Sequence, residues 1–282
     1  MAADLPAPVY TKAPPPLAAV YNWTGFYVGG NIGYSWGRSS STEAFSDATS
    51  GLILSASANR FDMNGVIGGA QAGYNWQRDR WVYGLEADIQ GSGQKGDTPF
   101  SCGGGTVGAT VLAGLSGPCG LGHLGDTAPF NVVAFPVPGN LAQKLEWFGT
   151  FRGRVGVTAT PTFLVYATGG LAYGEVKTTD AIGGVNITGT QGTNVSTSTP
   201  VAAVFGNSST RVGWTAGVGI EGVISGNWTA KLEYLYIDLG NVSGSFVTPV
   251  VAPSGAFVAT NYSSHITDNI LRVGVNYRLS GP

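Results

Sequence analysis

Residues 65–90 read GVIGGAQAGYNWQRDRWVYGLEADIQ, and their alternation decides the fold. Val66, Ala70, Ala72, Tyr74 and Trp76 recur on one side of the first half, with Gln71, Asn75 and Gln77 on the other. Arg78-Asp79-Arg80 makes a polar turn, after which Trp81, Tyr83, Leu85, Ala87 and Ile89 alternate with Glu86, Asp88 and Gln90. Successive side chains of a strand point to opposite faces, so this pattern predicts an antiparallel hairpin with one apolar face. About ten residues per arm is what a tilted strand needs to cross a bilayer core.

Six further segments behave similarly. Phe26, Val28, Ile32, Tyr34 and Trp36 alternate with Tyr27, Gly29, Asn31, Gly33 and Ser35. Residues 144–159 set Leu145, Trp147, Phe151, Val155 and Val157 against Lys144, Glu146, Thr150, Arg152 and Arg154. Thr160-Pro161-Thr162 turns the chain into 163–174, whose two faces are both fairly apolar. Residues 211–224 oppose Trp214, Val218 and Ile220 to Arg211, Thr215 and Glu221. Ser225-Gly226-Asn227 leads into 228–239, with Trp228, Leu232, Tyr234 and Tyr236 opposite Lys231 and Glu233. The last segment, 269–279, sets Leu271, Val273, Val275 and Tyr277 against Arg272, Asn276 and Arg278.

Short turns alternate with long Gly/Ser/Thr-rich linkers at about 37–64, 91–143, 175–210 and 240–268. That asymmetry predicts an all-β, eight-stranded, antiparallel up-and-down transmembrane barrel over 22–279, with the long loops at one end. The apolar runs at 105–115 and 243–260 could add strands. Pro6, Pro8, Pro14, Pro15 and Pro16 make residues 1–21 an extended tail, and 280–282 a short C-terminal extension follows the last strand.

Composition agrees. Charged residues are 11% and mean hydropathy is +0.12, too apolar for a disordered chain. No apolar stretch approaches the roughly 18–20 residues of a membrane helix. A formal charge of −2 gives no electrostatic reason to bind nucleic acid. For Cys102 and Cys119 a disulfide fits better than a metal site, because no adequate ligand set accompanies them.

All seven tryptophans fall at or near expected strand ends. Trp23, Trp76, Trp81 and Trp228 map to a periplasmic belt, and Trp36, Trp147 and Trp214 to an outer one. Indole favours the headgroup zone, where its ring is shielded and its N–H stays wet. A soluble β-protein would also place tryptophans mid-strand.

The charges expected to face the lumen are nearly balanced: Glu86, Asp88, Glu146, Glu221 and Glu233 against Lys144, Arg152, Arg154, Lys231 and Arg272. Eight strands enclose room only for side chains, so these groups should pair across the interior and close it. Gly217-Val-Gly-Ile-Glu-Gly222 matches a dinucleotide-binding pattern, but it lies within an alternating strand and opens no helix. The two histidines, His123 and His265, fall in expected loops. His265 with Asp268, or His123 with Asp126, could form a catalytic pair at the rim, and His123, His265 or Tyr262 could ligate haem. A solvated loop residue explains each more simply.

The stretches Asn22-Trp-Thr-Gly-Phe-Tyr-Val-Gly-Gly-Asn-Ile-Gly33, Val165-Tyr-Ala-Thr-Gly-Gly-Leu-Ala-Tyr-Gly174, Lys231-Leu-Glu-Tyr-Leu-Tyr236 and Asn269-Ile-Leu-Arg-Val-Gly-Val-Asn-Tyr-Arg278 resemble the small outer-membrane β-barrel proteins of α-proteobacteria, of rhizobial and brucella type. The resemblance implies an OmpA-like, porin-family barrel in the bacterial outer membrane that supports envelope integrity, with external loops and periplasmic termini. It implies surface-antigen character in some relatives and haemin binding in others. The chain departs from the pattern at its end, where Ser280-Gly281-Pro282 stand in place of a terminal Phe. The expected function is structural rather than enzymatic, without cofactor. Outer-membrane lipid, lipopolysaccharide and further copies in a homo-oligomer or lateral array are the expected partners. A small diffusion channel and a surface binder of haem or adhesion ligands are the alternatives.

Overall fold

The computed structural model describes residues 21–47, 53–102, 105–107, 131–134, 137–182, 187–191, 194–198, 203–249 and 257–279. The strands are β1 Gly25–Asp47, β2 Ile53–Arg78, β3 Trp81–Ser92, β4 Lys95–Cys102, β5 Gly105–Val107, β6 Asn131–Ala134 and β7 Val137–Thr160. They continue with β8 Phe163–Ile182, β9 Ile187–Gln191, β10 Asn194–Ser198, β11 Ala203–Ser225, β12 Trp228–Pro249 and β13 Phe257–Arg278.

Each strand pairs antiparallel with its neighbours in the order β1-β13-β12-β11-β8-β7-β3-β2, and the β1–β2 pairing closes the ring. Strand β4 resumes the β3 position along β7 after Gly93-Gln94, so the ring has eight wall positions among the described residues. Closure leaves no unpaired strand edge within the ring, which a bilayer demands. Strands β5, β6, β9 and β10 form a separate four-stranded sheet. It takes up part of the apolar run at 105–115, whereas 243–249 and 257–260 belong to β12 and β13.

Tight turns join β2 to β3, β7 to β8 and β11 to β12 at one end of the ring. Asp79 (φ 53°) and Gly226 (φ 52°) adopt the left-handed conformation that two-residue hairpins require. Above these turns the wall alternates strictly: β3 shows exposed and buried residues in turn from Trp81 to Gly91. The outward side is apolar, with Phe26, Ile32, Val66, Ile89, Val218 and Val273 exposed by half or more. No water-facing wall would be built from these side chains, whereas hydrocarbon accepts them.

The strands run much further than the sequence pattern suggests. Most of the stretches expected to be loops, 37–64 and 240–268 above all, continue as strand, and the ring strands other than β3 and β4 contain 20–26 residues. That is about twice the length needed to span a bilayer. Beyond Trp36 the outward residues become Arg38 and Thr42, while Ser39, Ser41 and Glu43 keep the inward phase and are buried. Strand geometry persists where the hydrocarbon-facing signal ends.

This extension parts into two four-stranded leaves. Among the described residues, β11–β12 pairing ends at Trp214↔Asp238, and β2 pairs with β4 only at Asn64↔Lys95. One leaf is therefore β4-β7-β8-β11 and the other β12-β13-β1-β2. Phe205 and Phe246 stack across the β11/β12 seam with centroids 4.1 Å apart.

Candidate functional site

A barrel of this size can act through its lumen or its outer rim. From the short-turn end upward, four layers of side chains fill the lumen.

The first is aromatic. Residues 21–24 cross the mouth, held by the Trp23 N–H donating to Gln77 Oε1 (2.8 Å) and the Gln77 N–H donating to Thr24 Oγ1 (2.9 Å). Tyr21, Trp23, Val82, Leu164 and Tyr166 pack together there, and the Arg278 guanidinium lies 4.3 Å over the Tyr21 ring. Trp23 is 2% exposed. It plugs the barrel and does not belong to the lipid-facing belt assigned to it from sequence, because it precedes β1 and the strand phase does not govern it. The other six tryptophans lie on the outer wall. Trp228–Tyr277 and Trp81–Tyr83 contacts mark the lower belt; Trp36–Tyr234, Trp147–Tyr173 and Trp214–Tyr236 mark the upper one.

The second layer is ionic. Arg152 contacts Glu86 and reaches Asp88 at 2.9 Å and Glu233 at 3.1 Å. Arg272 reaches Asp88 at 2.9 Å and donates through Nε to Glu233 at 2.7 Å. Lys231 Nζ lies 2.9 Å from Glu86, and Arg154 2.8 Å from Glu221. These four carboxylates and four cations cancel within a buried volume, and all eight are at most 5% exposed. Neutral groups complete the set: Tyr27 donates to Glu86 (2.7 Å), Tyr166 to Glu233 (3.0 Å), Thr229 to Glu221 (2.6 Å) and Asn276 to Glu221 (2.8 Å). Buried charges of this kind are tolerable only when paired and hydrogen-bonded.

Lys144 and Glu146 do not join them. A β-bulge between Leu145 and Trp147 shifts the β7 phase by one residue. Before it Leu141, Gln143 and Leu145 point inward; after it Phe148, Thr150, Arg152 and Arg154 do. Lys144 and Glu146 are thereby turned to the outer surface, where they pair at 3.3 Å, and Leu145, read from sequence as outward, enters the core.

The third layer, between the leaves, is partly apolar, which the polar reading of the interior did not foresee. Leu145, Phe148, Ala172 and Val176 of one leaf meet Leu235, Ile237, Leu239, Val242, Ile266 and Ile270 of the other. Beside them runs a polar column. Gln94 donates to Ser35 (2.6 Å), Ser39 donates to Gln143 (2.6 Å), and Gln143 donates to Ser264 (3.0 Å). Ser35 also donates to Asp268.

The fourth layer holds two acids that sequence reasoning missed. Glu43 and Asp180 are 0% and 2% exposed, and neither carboxyl has a hydrogen-bond partner. Burial, reinforced by Asp180, raises the Glu43 carboxyl to about 7, and burial raises Asp180 to about 6. Carrying the inward phase of Ser35, Ser39 and Ser41 onward would have located Glu43.

The motif residues carry no catalytic geometry. His265 points outward and Asp268 inward, so they cannot pair; His265 instead meets Asn241 (3.0 Å) and Asp238 (3.5 Å). The glycines of the dinucleotide-like pattern lie in β11, where Gly219 makes room for the Tyr166 ring. Among the described residues no group of three or more His, Cys, Asp or Glu is placed to hold a metal. His123, Asp126 and Cys119, and with it the Cys102–Cys119 pair, lie outside the described residues, as does the tail 1–20.

Comparison with known proteins agrees with this architecture. Residues 12–278 match the model of the outer membrane protein beta-barrel domain. The chain is 34% identical to a 31 kDa outer-membrane immunogenic protein of Brucella melitensis, over 99% of this chain and 92% of the relative. It is 29% identical to a 22 kDa outer membrane protein of Rhizobium leguminosarum, over 79% and 67% of the two chains. Among solved structures, Ail of Yersinia pestis aligns over 90% of this chain and 99% of its own at 10% identity, with a loose TM-score of 0.30. A filled, eight-position antiparallel ring with an apolar exterior, matched over nearly its whole length, makes this chain a member of the outer-membrane β-barrel protein family.

Proposed function

We propose that this protein is a closed, non-enzymatic barrel that reinforces the outer membrane, with its termini and short turns in the periplasm and its two leaves outside the cell. The observation that carries the reading is the filled lumen: an aromatic plug, a neutral ionic layer and an inter-leaf apolar core lie in series. A permeating solute would have to break a balanced buried network, and separating one such pair costs about 3–5 kcal/mol. The polar outer faces of the leaves suit contact with lipopolysaccharide and with neighbouring proteins, further copies of this chain included.

Planar-bilayer recording on the homogeneous protein tests the closed state. No reproducible conductance steps are expected; steps of uniform size that track the protein through purification would contradict it.

A further inference from the structure

Lys95, Lys144 and Lys177 stand directly opposite one another on three adjacent strands. The β4–β7 register pairs Lys95 with Lys144, and the β7–β8 register pairs Lys144 with Lys177. All three are exposed on the outer wall. With strands about 4.8 Å apart, the row spans roughly 10 Å. Like charges in this arrangement oppose strand pairing. One carboxylate, Glu146, sits between two of them, 3.3 Å from Lys144 and 2.8 Å from Lys177. Glu175 also acts on Lys177, so the ammonium of the row without an ion pair among the described residues is that of Lys95, whereas exposed Arg38 on the opposite leaf is matched by Asp62 at 3.5 Å.

Its height is equally specific. Trp147 lies across from Glu175 and touches Tyr173, which marks the upper aromatic belt. Lys177 is two residues further out, about 7 Å along the strand. Headgroup phosphates begin at this level, just above the indole zone. The bulge at Glu146 is what turns Lys144 outward into line with its neighbours, and bulges commonly re-aim a side chain in this way.

We infer that this lysine row docks the phosphorylated sugar headgroup of the outer-leaflet glycolipid. Lysine acts as a point charge toward phosphate, and its stem can lie along apolar wall while the ammonium reaches up. The inference rests on the orientation proposed above; inverted, the row would face inner-leaflet phospholipid.

Native mass spectrometry of the full chain in detergent, with bis-phosphorylated lipid A and its dephosphorylated form, tests it. The phosphorylated lipid should be retained at least tenfold better. Lys95→Gln/Lys144→Gln/Lys177→Gln should remove that advantage, and Arg38→Gln/Arg60→Gln should not. Equal retention of the two lipids, or a triple variant that binds like the wild type, overturns the proposal. Should the triple variant fail to fold, Lys95→Gln alone should lower retention about threefold, and no change overturns it. Orientation is read separately: Thr179→Cys, at an exposed position, should react with impermeant maleimide on intact cells above the wild-type background. Protection there with lipid selectivity intact refutes the orientation and with it the glycolipid as occupant; reaction there without selectivity refutes the lysine site alone.

Discussion

Tyr166 and Gly219 face each other across the β8–β11 pair, and the phenol ring fills the space in which any other residue at 219 would place its Cβ, 2.5 Å from ring atoms. The missing side chain lets the Tyr166 hydroxyl reach Glu233 at 3.0 Å and leaves the ring 3.9 Å beneath the Arg154 guanidinium. Tyr27 and Gly73 repeat the arrangement on β1 and β2, the added Cβ falling 2.4 Å from the Tyr27 hydroxyl. Glycine content here serves a crowded lumen.

Gly219→Ala should displace Tyr166 from both partners and destabilise the barrel by about 1–3 kcal/mol, the usual cost of overpacking. The readout is the urea midpoint of the refolded protein in detergent. Gly222→Ala is the control, since its Cβ would meet only the Phe163 ring at an ordinary 3.5 Å. Equal midpoints for the two variants would refute the assignment.

Arg272→Met should cost about 3–5 kcal/mol, because Asp88 and Glu233 would then share Arg152 within a buried layer. Adding Glu233→Gln to that variant should recover part of the loss, since the two positions are directly coupled. Strictly additive losses in a double-mutant cycle would contradict the pairing.

The leaves should loosen as pH rises. Glu43, at about 7, and Asp180, at about 6, hold their protons more tightly folded than unfolded. The stabilisation is therefore complete below the ordinary carboxyl range and is lost as pH climbs through 6 to 7. Hydrogen exchange in the outer halves of β1 and β8, corrected for its intrinsic rate, should be faster at pH 8 than at pH 5. Glu43→Gln should flatten the dependence, and a wild-type profile without slope would contradict the argument.

How much of this was legible follows from where two media differ. From Phe26 to Trp36 one side of the strand meets hydrocarbon and the other a packed interior, so period two is plain in the residues. Beyond Trp36 water replaces lipid, Arg38 and Thr42 face outward opposite Ser39 and Ser41, and the contrast fades although the strand continues. The seam between leaves is invisible for the same reason. Lys144 and Glu146 were misplaced because one bulged residue reverses the phase, and nothing in the sequence around Leu145 marks it. Trp23 gives the same indole signal in a plug as in a belt. The eight charges of the ionic layer were readable because each sits within a membrane-crossing stretch whose alternate residues are apolar.

The apolar outer surface of the wall is the one that touches lipid. Single-tryptophan proteins reconstituted in brominated-lipid vesicles test it directly, comparing Trp214, 50% exposed on the wall, with Trp23, 2% exposed in the plug. Bromine near the acyl chain ends closest to the headgroups should strongly quench Trp214 and leave Trp23 bright. Quenching of Trp23 with Trp214 untouched would mean that the barrel has been read inside out.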